Sequence, residues 1–113
     1  MLASGMSDFI PAQAITLQAV IVPRPEHLQD VKREILSLVA ASRQEEGCLT
    51  YDLLRDEQNG TVRFHVQERY TDMDAVQAHR DSDHYRAFRT KAGEWFASAP
   101  QVTVLRDVDV VEK

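Results

Sequence analysis

One histidine in the second half of the sequence has the chemistry and the spacing expected of a general base. His79 follows Val76 by three residues, so in a helix the two side chains share the inward face. A neutral imidazole there can act as a general base and take a proton from a bound substrate. The alternative is a histidine that is hydrogen-bonded locally and only packs between a helix and a sheet. We predict His79 to be catalytic.

A carboxyl group in apolar company is the second candidate. Glu68 alternates with Phe64 and Val66 along a predicted strand, so the three side chains point to one face. A charged carboxylate among apolar groups is costly unless it is paired, and such groups often belong to functional sites. The alternative is an ion pair with Arg80 or Arg86, or a contact with a helix end. We predict Glu68 to be the second catalytic residue.

Several aromatic side chains could form flat apolar walls around an aromatic ligand. The predicted substrate-binding residues are Tyr51, Phe64, Tyr70, His84, Tyr85, Phe88 and Trp95. Aromatic residues at strand and helix spacing are more often plain core, and His84 could instead cap a break between two helices. Tyr70 and Tyr85 are favoured as lining residues because a buried hydroxyl needs a hydrogen-bond partner.

Motifs for metals and organic cofactors are missing from the sequence. His79 and His84 are five residues apart, about 140° around one helix, so they would not grip a metal as an i, i+4 pair does. Cys48 is the single cysteine, so there is no cysteine cluster, and the four glycines form no phosphate-binding loop. We therefore predict no metal site and no cofactor.

Hydrophobic periodicity indicates the elements that must position these residues. The predicted strands span residues 15–22, 48–56, 61–70 and 101–111. A helix is predicted over 26–46, ended by a left-handed Gly47, and a second helical region over 73–97, broken at 81–83. The second and third strands are joined by a turn that contains Asn59-Gly60. This β-α-β-β-α-β order predicts an α+β, ferredoxin-like domain with its helices on one face of a sheet.

Length and composition indicate one small globular domain. The chain has 113 residues, 43% of them hydrophobic and 27% charged, with a formal net charge of −5. No basic patch suits nucleic acid or an anionic membrane, and no apolar run approaches the roughly 20 residues that span a bilayer. The lone Cys48 favours a reducing cytoplasm. Residues 1–14 are predicted to be a flexible leader, with Met6 as an alternative start, before a domain over 15–113.

The predicted fold leaves one face of the sheet without helices. Tyr51, Leu53 and Leu105, together with valine-rich first and last strands, supply apolar side chains for both faces. A bare apolar face is an association site, so we predict a homodimer. Antiparallel sheets do sometimes expose a mixed face to water.

Three blocks of the sequence resemble the antibiotic biosynthesis monooxygenase family. They are Glu46-Gly47-Cys48-Leu49-Thr50-Tyr51, then Glu68-Arg69-Tyr70, then His79-Arg80-Asp81-Ser82-Asp83-His84-Tyr85. The family pattern is Glu-Gly-Cys-X-X-Tyr, Glu-X-Trp and His-X-X-Ser-X-His-Phe, and the resemblance extends over roughly residues 15–110. Tyr70 stands where Trp is common and Tyr85 where Phe is common, and these departures bear on substrate choice.

The resemblance implies a dimer whose sheets pack face to face as an α+β barrel, with one pocket per subunit between sheet and helices. It implies a cofactor-independent monooxygenase that oxidises a small electron-rich aromatic, such as a quinol, with O₂. Haem-degrading relatives carry an Asn on the first strand, where this chain offers only Gln18. The alternatives are an isomerase of a small carbonyl compound, with His79 and Glu68 as proton shuttles, and a non-catalytic dimer that binds a metabolite.

The character of the pocket would separate these functions. Arg80, Arg86 and Arg89 clustered at its mouth would favour a phosphorylated substrate. A dry aromatic pocket would favour a quinol. The choice depends on where the tertiary structure places the three arginines.

Overall fold

The computed structural model describes residues 13–111, so the predicted leader lies almost entirely outside the described part of the chain. The strands are β1 (Ile15–Ile21), β2 (Cys48–Gln58), β3 (Thr61–Tyr70) and β4 (Gln101–Arg106). The helices are α1 (Leu28–Ser42), α2 (Met73–Arg80) and α3 (Asp83–Ala92), with 3-10 turns at Pro25–His27 and Gly93–Trp95. No helix in the described residues is long and apolar enough to span a membrane.

These elements form the predicted ferredoxin-like α+β fold. All strand pairs are antiparallel and the order across the sheet is β2-β3-β1-β4, so β3 and β1 are central. The inward stripes of α1 and α3 pack on one face of the sheet in a common core, which includes fully buried Val31, Ile35 and Phe64. Burial of the apolar helix stripes against that face holds the two layers together.

Two local predictions are confirmed: the tight turn at Asn59-Gly60 and the break in the second helical region near Ser82. Asn59 and Gly60 both have positive φ, 52° and 82°, as the tight turn between β2 and β3 requires. The helical region divides into α2 and α3 because Ser82 caps α3, where its hydroxyl accepts a hydrogen bond from the Tyr85 amide at 3.2 Å. α3 ends at Ala92, earlier than the predicted end at 97, and a 3-10 turn follows.

The first helix also ends earlier than predicted, and Gly47 has a different role. α1 stops at Ser42, and residues 43–47 form turns. The prediction of a left-handed Gly47 is wrong, because positive φ among the described residues occurs only in the Asn59-Gly60 turn. Glycine is needed at 47 because a Cβ there would lie 2.4 Å from the Cβ of Ala75. The absence of a Cβ at Gly47 lets the chain just before β2 pack closely against Ala75 of α2.

The last strand is shorter than the predicted 101–111. Arg106 pairs with Ile15, the first residue of β1, so no neighbouring strand remains to hydrogen-bond the chain beyond that point. Asp107 instead pairs with Arg69 through hydrogen bonds of 2.7 and 2.9 Å. The ion pair between Arg69 and Asp107 holds the segment that follows β4 against β3.

The sheet face opposite the helices is more polar than the sequence suggested. Tyr51 and Leu53 lie on the helix-covered face, where Tyr51 is 2% exposed, so they add nothing to the open face. Most side chains that the strand pairing places on the open face are polar. Residues on this face include Thr16, Gln18, Val20, Asp52, Leu54, His65, Gln67, Arg69, Thr103 and Leu105. Apolar contact with a second subunit on this face would therefore depend on Val20, Leu54 and Leu105.

Candidate active site

A cavity of about 210 Å³ lies between the sheet, α1 and the α2–α3 pair. Aliphatic side chains of β1, β3 and α1 form most of its wall, with aromatic side chains from β2 and α3. Besides two tyrosines, four acidic or basic side chains line it: Glu68, His79, Arg80 and Arg89. An apolar protein cavity of about 150 Å³ can hold benzene, so this volume suits a single substituted ring. Both predicted catalytic residues therefore face one small, mainly apolar space.

His79 reaches the cavity from the last turn of α2. Asp72 caps this helix by accepting a hydrogen bond from the Ala75 amide at 2.9 Å, and Val76 and His79 form its buried stripe. The His79 side chain is 2% exposed, and its Nδ1 atom lies 2.7 Å from Glu45 Oε2. Its Nε2 atom is buried without a hydrogen-bond partner among the described residues. The ring is thus held by Glu45 at Nδ1, while its second nitrogen has no partner among the described residues.

Burial decides the protonation state of His79. Removal from water lowers its pKa below the ordinary 6.5, and the hydrogen bond that His79 donates to the Glu45 carboxylate opposes that effect. Electrostatic repulsion from the neighbouring His84 and Arg80 side chains lowers the pKa of His79 further. The imidazole is therefore neutral at neutral pH, which is the form that accepts a proton.

Glu45 joins two histidines that the sequence alone did not bring together. His84 Nε2 lies 2.5 Å from the same Glu45 Oε2 that contacts His79. The two imidazoles belong to different helices, α2 and α3, and their ring centroids are 5.9 Å apart. The argument that they lie 140° apart on one helix is therefore wrong, because the break at Ser82 redirects the chain. The signal for Glu45 was its position three residues after buried Ser42, which extends the inward stripe of α1.

The same cluster has the composition of a metal site. The ligand atoms of Glu45, His79 and His84 all lie within 4.8 Å of one another, and two histidines with one carboxylate can bind a divalent metal. The observed separations of 2.5 and 2.7 Å are hydrogen-bond distances. Ligands around tetrahedral zinc stand about 3.3 Å apart, given metal–ligand bonds of about 2.0 Å. The arrangement is that of hydrogen-bonded partners.

Glu68 lies near the end of β3, on the face of the strand that the helices cover, and lines the cavity from there. Its side chain is 7% exposed, and the Tyr70 hydroxyl donates a hydrogen bond to its Oε1 atom at 2.6 Å. Burial raises the pKa of Glu68 to about 7; Tyr70 and the more distant charge of Arg80 oppose the rise, and Glu45 adds to it. Glu68 forms no ion pair with any residue among 13–111. The alternative prediction, an ion pair between Glu68 and Arg80 or Arg86, is therefore wrong.

Three of the predicted substrate-binding residues line the cavity. They are Tyr51 from β2 and Tyr85 and Phe88 from α3. The rings of Tyr51 and Tyr85 lie 5.4 and 5.0 Å from the His79 ring, measured between centroids. Burial strongly raises the pKa of Tyr51, so its hydroxyl stays protonated and is available as a donor.

The other four predicted binding residues do not line this cavity. Phe64 pairs with Ile21 in the core. Trp95 stacks on His27, with ring centroids 5.3 Å apart. Tyr70 is fully buried behind Glu68, and His84 reaches the site only through Glu45. Strand and helix spacing placed Phe64, Tyr70 and Trp95 on inward faces, but most of an inward face packs in the core and only part of it borders a cavity.

Two of the three arginines considered from the sequence line the cavity. Arg80 ends α2, and Arg89 lies on α3, where its Nη1 atom donates to the Tyr85 hydroxyl at 3.1 Å. Both side chains are exposed, and neither forms an ion pair with a carboxylate in the described part of the chain. Arg86 does not line the cavity. Two positively charged side chains therefore lie beside a mainly apolar cavity that also contains Glu68 and His79.

This chain belongs to the antibiotic biosynthesis monooxygenase family, whose sequence profile matches residues 14–91. The matched span contains Glu45, Glu68, His79 and His84, so the whole ionisable cluster lies within the family domain. The assignment agrees with the resemblance seen in the three sequence blocks.

This chain is similar to two named relatives and to several solved structures. "Putative monooxygenase Rv0793" of Mycobacterium tuberculosis is 30% identical over 95 residues, which cover 84% of this chain and 92% of the relative. "Putative monooxygenase YcnE" of Bacillus subtilis is 38% identical over 88 residues, which cover 76% and 88%. The structure of Rv0793 matches with a TM-score of 0.81 at 29% identity, over 88% of this chain and 99% of that chain. A Caulobacter crescentus structure described as a "putative antibiotic biosynthesis monooxygenase" matches with a TM-score of 0.80 at 28% identity, over 91% and 97%.

Proposed function

We propose that this protein is a cofactor-independent monooxygenase that oxidises a small electron-rich aromatic, such as a quinol, with O₂. The observation that carries the proposal is the state of His79. Its imidazole is neutral at neutral pH, and its Nε2 atom is buried and unpartnered among the described residues, on a residue that lines an apolar cavity. A lone pair held in this way can accept the proton of a phenolic hydroxyl placed beside it.

The reaction needs no cofactor because the deprotonated substrate is itself the reductant. His79 Nε2 removes a phenolic proton, and the phenolate gives one electron to O₂, which forms a semiquinone radical and superoxide. These combine through a new C–O bond, and the peroxide anion takes the proton back from His79. Loss of water then breaks the O–O bond. A quinol and O₂ thus become a hydroxyquinone and water, with four electrons leaving the substrate and four entering O₂.

Glu68 serves the step in which water is lost. Near neutral pH a large share of its carboxyl group is protonated, because burial raises the pKa to about 7. Tyr70 donates to Oε1, so the acidic proton is carried on Oε2. Glu68 protonates the outer oxygen of the hydroperoxide, and this oxygen leaves as water when the O–O bond breaks. The Glu68 carboxylate then takes the proton from the ring carbon that carried the hydroperoxide.

The substrate class follows from the size and lining of the cavity. About 210 Å³ takes one ring with small substituents, and Tyr51, Tyr85 and Phe88 present flat surfaces to it. An apolar lining also suits O₂, which carries no charge. Of the seven binding residues expected from the sequence, these three enter the proposal as substrate contacts.

The second candidate is an isomerase of a small anionic carbonyl compound. Arg80 and Arg89 favour it, because arginines without carboxylate partners beside a cavity can bind a phosphate or carboxylate group. His79 and Glu68 would then move protons between neighbouring carbons without O₂. A metabolite-binding dimer without catalysis is the third candidate, and it needs no proton transfer at all.

Oxygen uptake with a panel of reduced quinones separates these candidates. We expect one O₂ consumed per quinol, with one atom of ¹⁸O₂ in the product and one in water. His79→Asn is the matched control, because its amide can still donate to Glu45 but lacks the second ring nitrogen. Turnover of a phosphorylated ketone under nitrogen would favour the isomerase. Binding without turnover of either class would refute both enzyme proposals.

We also propose that the working form is a cytoplasmic homodimer that binds neither nucleic acid nor membrane. Val20, Leu54 and Leu105 on the open sheet face support association, although polar side chains surround them. The lone Cys48 supports a reducing compartment. Burial raises the pKa of its thiol to about 11, so it is not a nucleophile at neutral pH.

A further inference from the structure

Glu45, His79 and His84 form a hydrogen-bonded cluster on the side of His79 opposite its free nitrogen. Glu45 Oε2 contacts His79 Nδ1 at 2.7 Å and His84 Nε2 at 2.5 Å. We propose that Glu45 is a positioning residue that sets the tautomer and direction of the His79 ring, and that His84 holds Glu45 in place. This inference rests on the proposed role of His79 as the base.

The tautomer follows from the partner. An ionised carboxylate only accepts hydrogen bonds, so the nitrogen of His79 that faces Glu45 must carry the proton. A neutral imidazole has one ring proton, which leaves the lone pair on Nε2. Without Glu45 the proton would distribute between the two nitrogens, and the Nε2–H form cannot act as a base. Glu45 therefore keeps the whole population of His79 in the reactive form.

Glu45 also favours the charged state that His79 must reach during turnover. After proton abstraction His79 is an imidazolium at a site where its side chain is 2% exposed, and burial alone disfavours that charge. A carboxylate 2.7 Å away offsets part of that cost. The arrangement lets a buried histidine be neutral at rest and still accept a proton from the substrate.

His84 restrains Glu45, which otherwise has little to fix it. Glu45 lies in the turn after α1, and within the described residues its side chain has no hydrogen-bond partner except the two imidazoles. The side chain of His84 is 30% exposed and that of Glu45 is 17% exposed, so the cluster runs from the protein surface to the buried base. Helix α3 thus contributes to catalysis through a residue that does not line the cavity.

The decisive measurement is the tautomer of His79, read from side-chain ¹H–¹⁵N correlation spectra of the full-length chain without substrate. We expect the Nδ1–H form in the wild type. In Glu45→Gln the amide can donate to Nδ1, so the Nε2–H form should appear. The kcat should then fall by about 10² to 10⁴, as expected when a base is held in the wrong tautomer, while KM changes little.

Three further variants make the test specific. Glu45→Asp keeps the carboxylate and should retain the Nδ1–H form with a partial loss of rate. His84→Phe removes the restraint on Glu45 and should give a mixture of tautomers and a smaller loss of rate than Glu45→Gln. Glu46→Gln changes the exposed neighbouring carboxylate and should leave the tautomer and the rate as they are in the wild type.

Each outcome supports or overturns the inference. An Nε2–H form in the wild type would overturn it, and so would an unchanged rate in Glu45→Gln when His79→Asn is inactive. Stoichiometric Zn²⁺ binding that Glu45→Gln abolishes would assign the cluster to a metal instead. The expected tautomers in a protein that oxidises no quinol would refute the proposed function and leave the role of Glu45 in setting the ring intact.

Discussion

Glu68→Gln should make the protein more stable above pH 7 even though it removes a proposed catalytic group. The carboxyl group is 7% exposed, and burial raises its pKa from the ordinary 4.5 to about 7. That difference is about 2.5 pH units, and at 1.36 kcal/mol per unit it corresponds to about 3 kcal/mol. Glutamine has nearly the same shape, stays neutral, and can still accept the hydrogen bond from Tyr70 through its amide oxygen.

The sign of the effect depends on which state ionises first. As pH rises past 4.5 the unfolded chain loses the proton of Glu68, while the folded protein keeps it until pH is near 7. The protonated group therefore contributes stability that is fully present below pH 4.5 and is lost as pH rises through the folded pKa. Glu68→Gln avoids that loss, so its advantage should grow from pH 4.5 to 7 and stay constant above.

Urea unfolding at several pH values would measure this difference. We expect the free energies of unfolding of the wild type and Glu68→Gln to agree within about 1 kcal/mol at pH 4.5 and to differ by about 3 kcal/mol at pH 8. Exposed Glu46→Gln is the control, and its difference should stay within about 0.5 kcal/mol throughout. A pH-independent difference, or a less stable Glu68→Gln at pH 8, would refute the argument that burial keeps this carboxyl group neutral.

His79→Ala should lower kcat by about 10² to 10⁴ and destabilise the fold by about 1–3 kcal/mol; normal turnover per folded molecule would end its assignment as the base. Wild-type kcat/KM should fall as pH drops through the lowered pKa of His79, below 6.5, and a kcat/KM that does not fall at any acid pH at which the protein stays folded would contradict this base. Light scattering should give twice the 12.9 kDa chain mass at micromolar concentration, and 12.9 kDa at every concentration would contradict the dimer. Purified protein should be colourless and keep its activity in chelator, and loss of activity that Zn²⁺ or Fe²⁺ restores would contradict cofactor independence.

Much of the fold could be predicted because it depends on local patterns. Alternation along β1 and three- and four-residue steps along α1 report which face is buried, since strand and helix periods are set by the backbone. The Asn59-Gly60 turn and the cap at Ser82 also depend on neighbouring residues, and both are where the sequence indicated. The burial of Glu68 and His79 followed from the same periods. Their placement in one cavity is a result of the tertiary structure.

Errors arose where a residue's role depends on another element. Gly47 looked like a helix cap, but its role comes from the Cβ of Ala75 in a helix that follows much later. The last strand was predicted too long, because its length depends on where β1 begins at Ile15. Phe64 and Trp95 were placed at a ligand, but they pack elsewhere because a periodic inward face does not say which part of it borders a cavity.

The amino-acid sequence by itself determined the order of the elements, the inward faces and the family, because these are written in residue types and short spacings. Only the tertiary structure decided the candidate active site. Glu45 contacts His79 and His84 across 34 and 39 residues of chain, and neither contact follows from a helical or strand period. Side chains so far apart in sequence meet because α1 and the α2–α3 pair pack on the same face of one sheet. The geometry that orients the proposed base is thus a product of the packed layers.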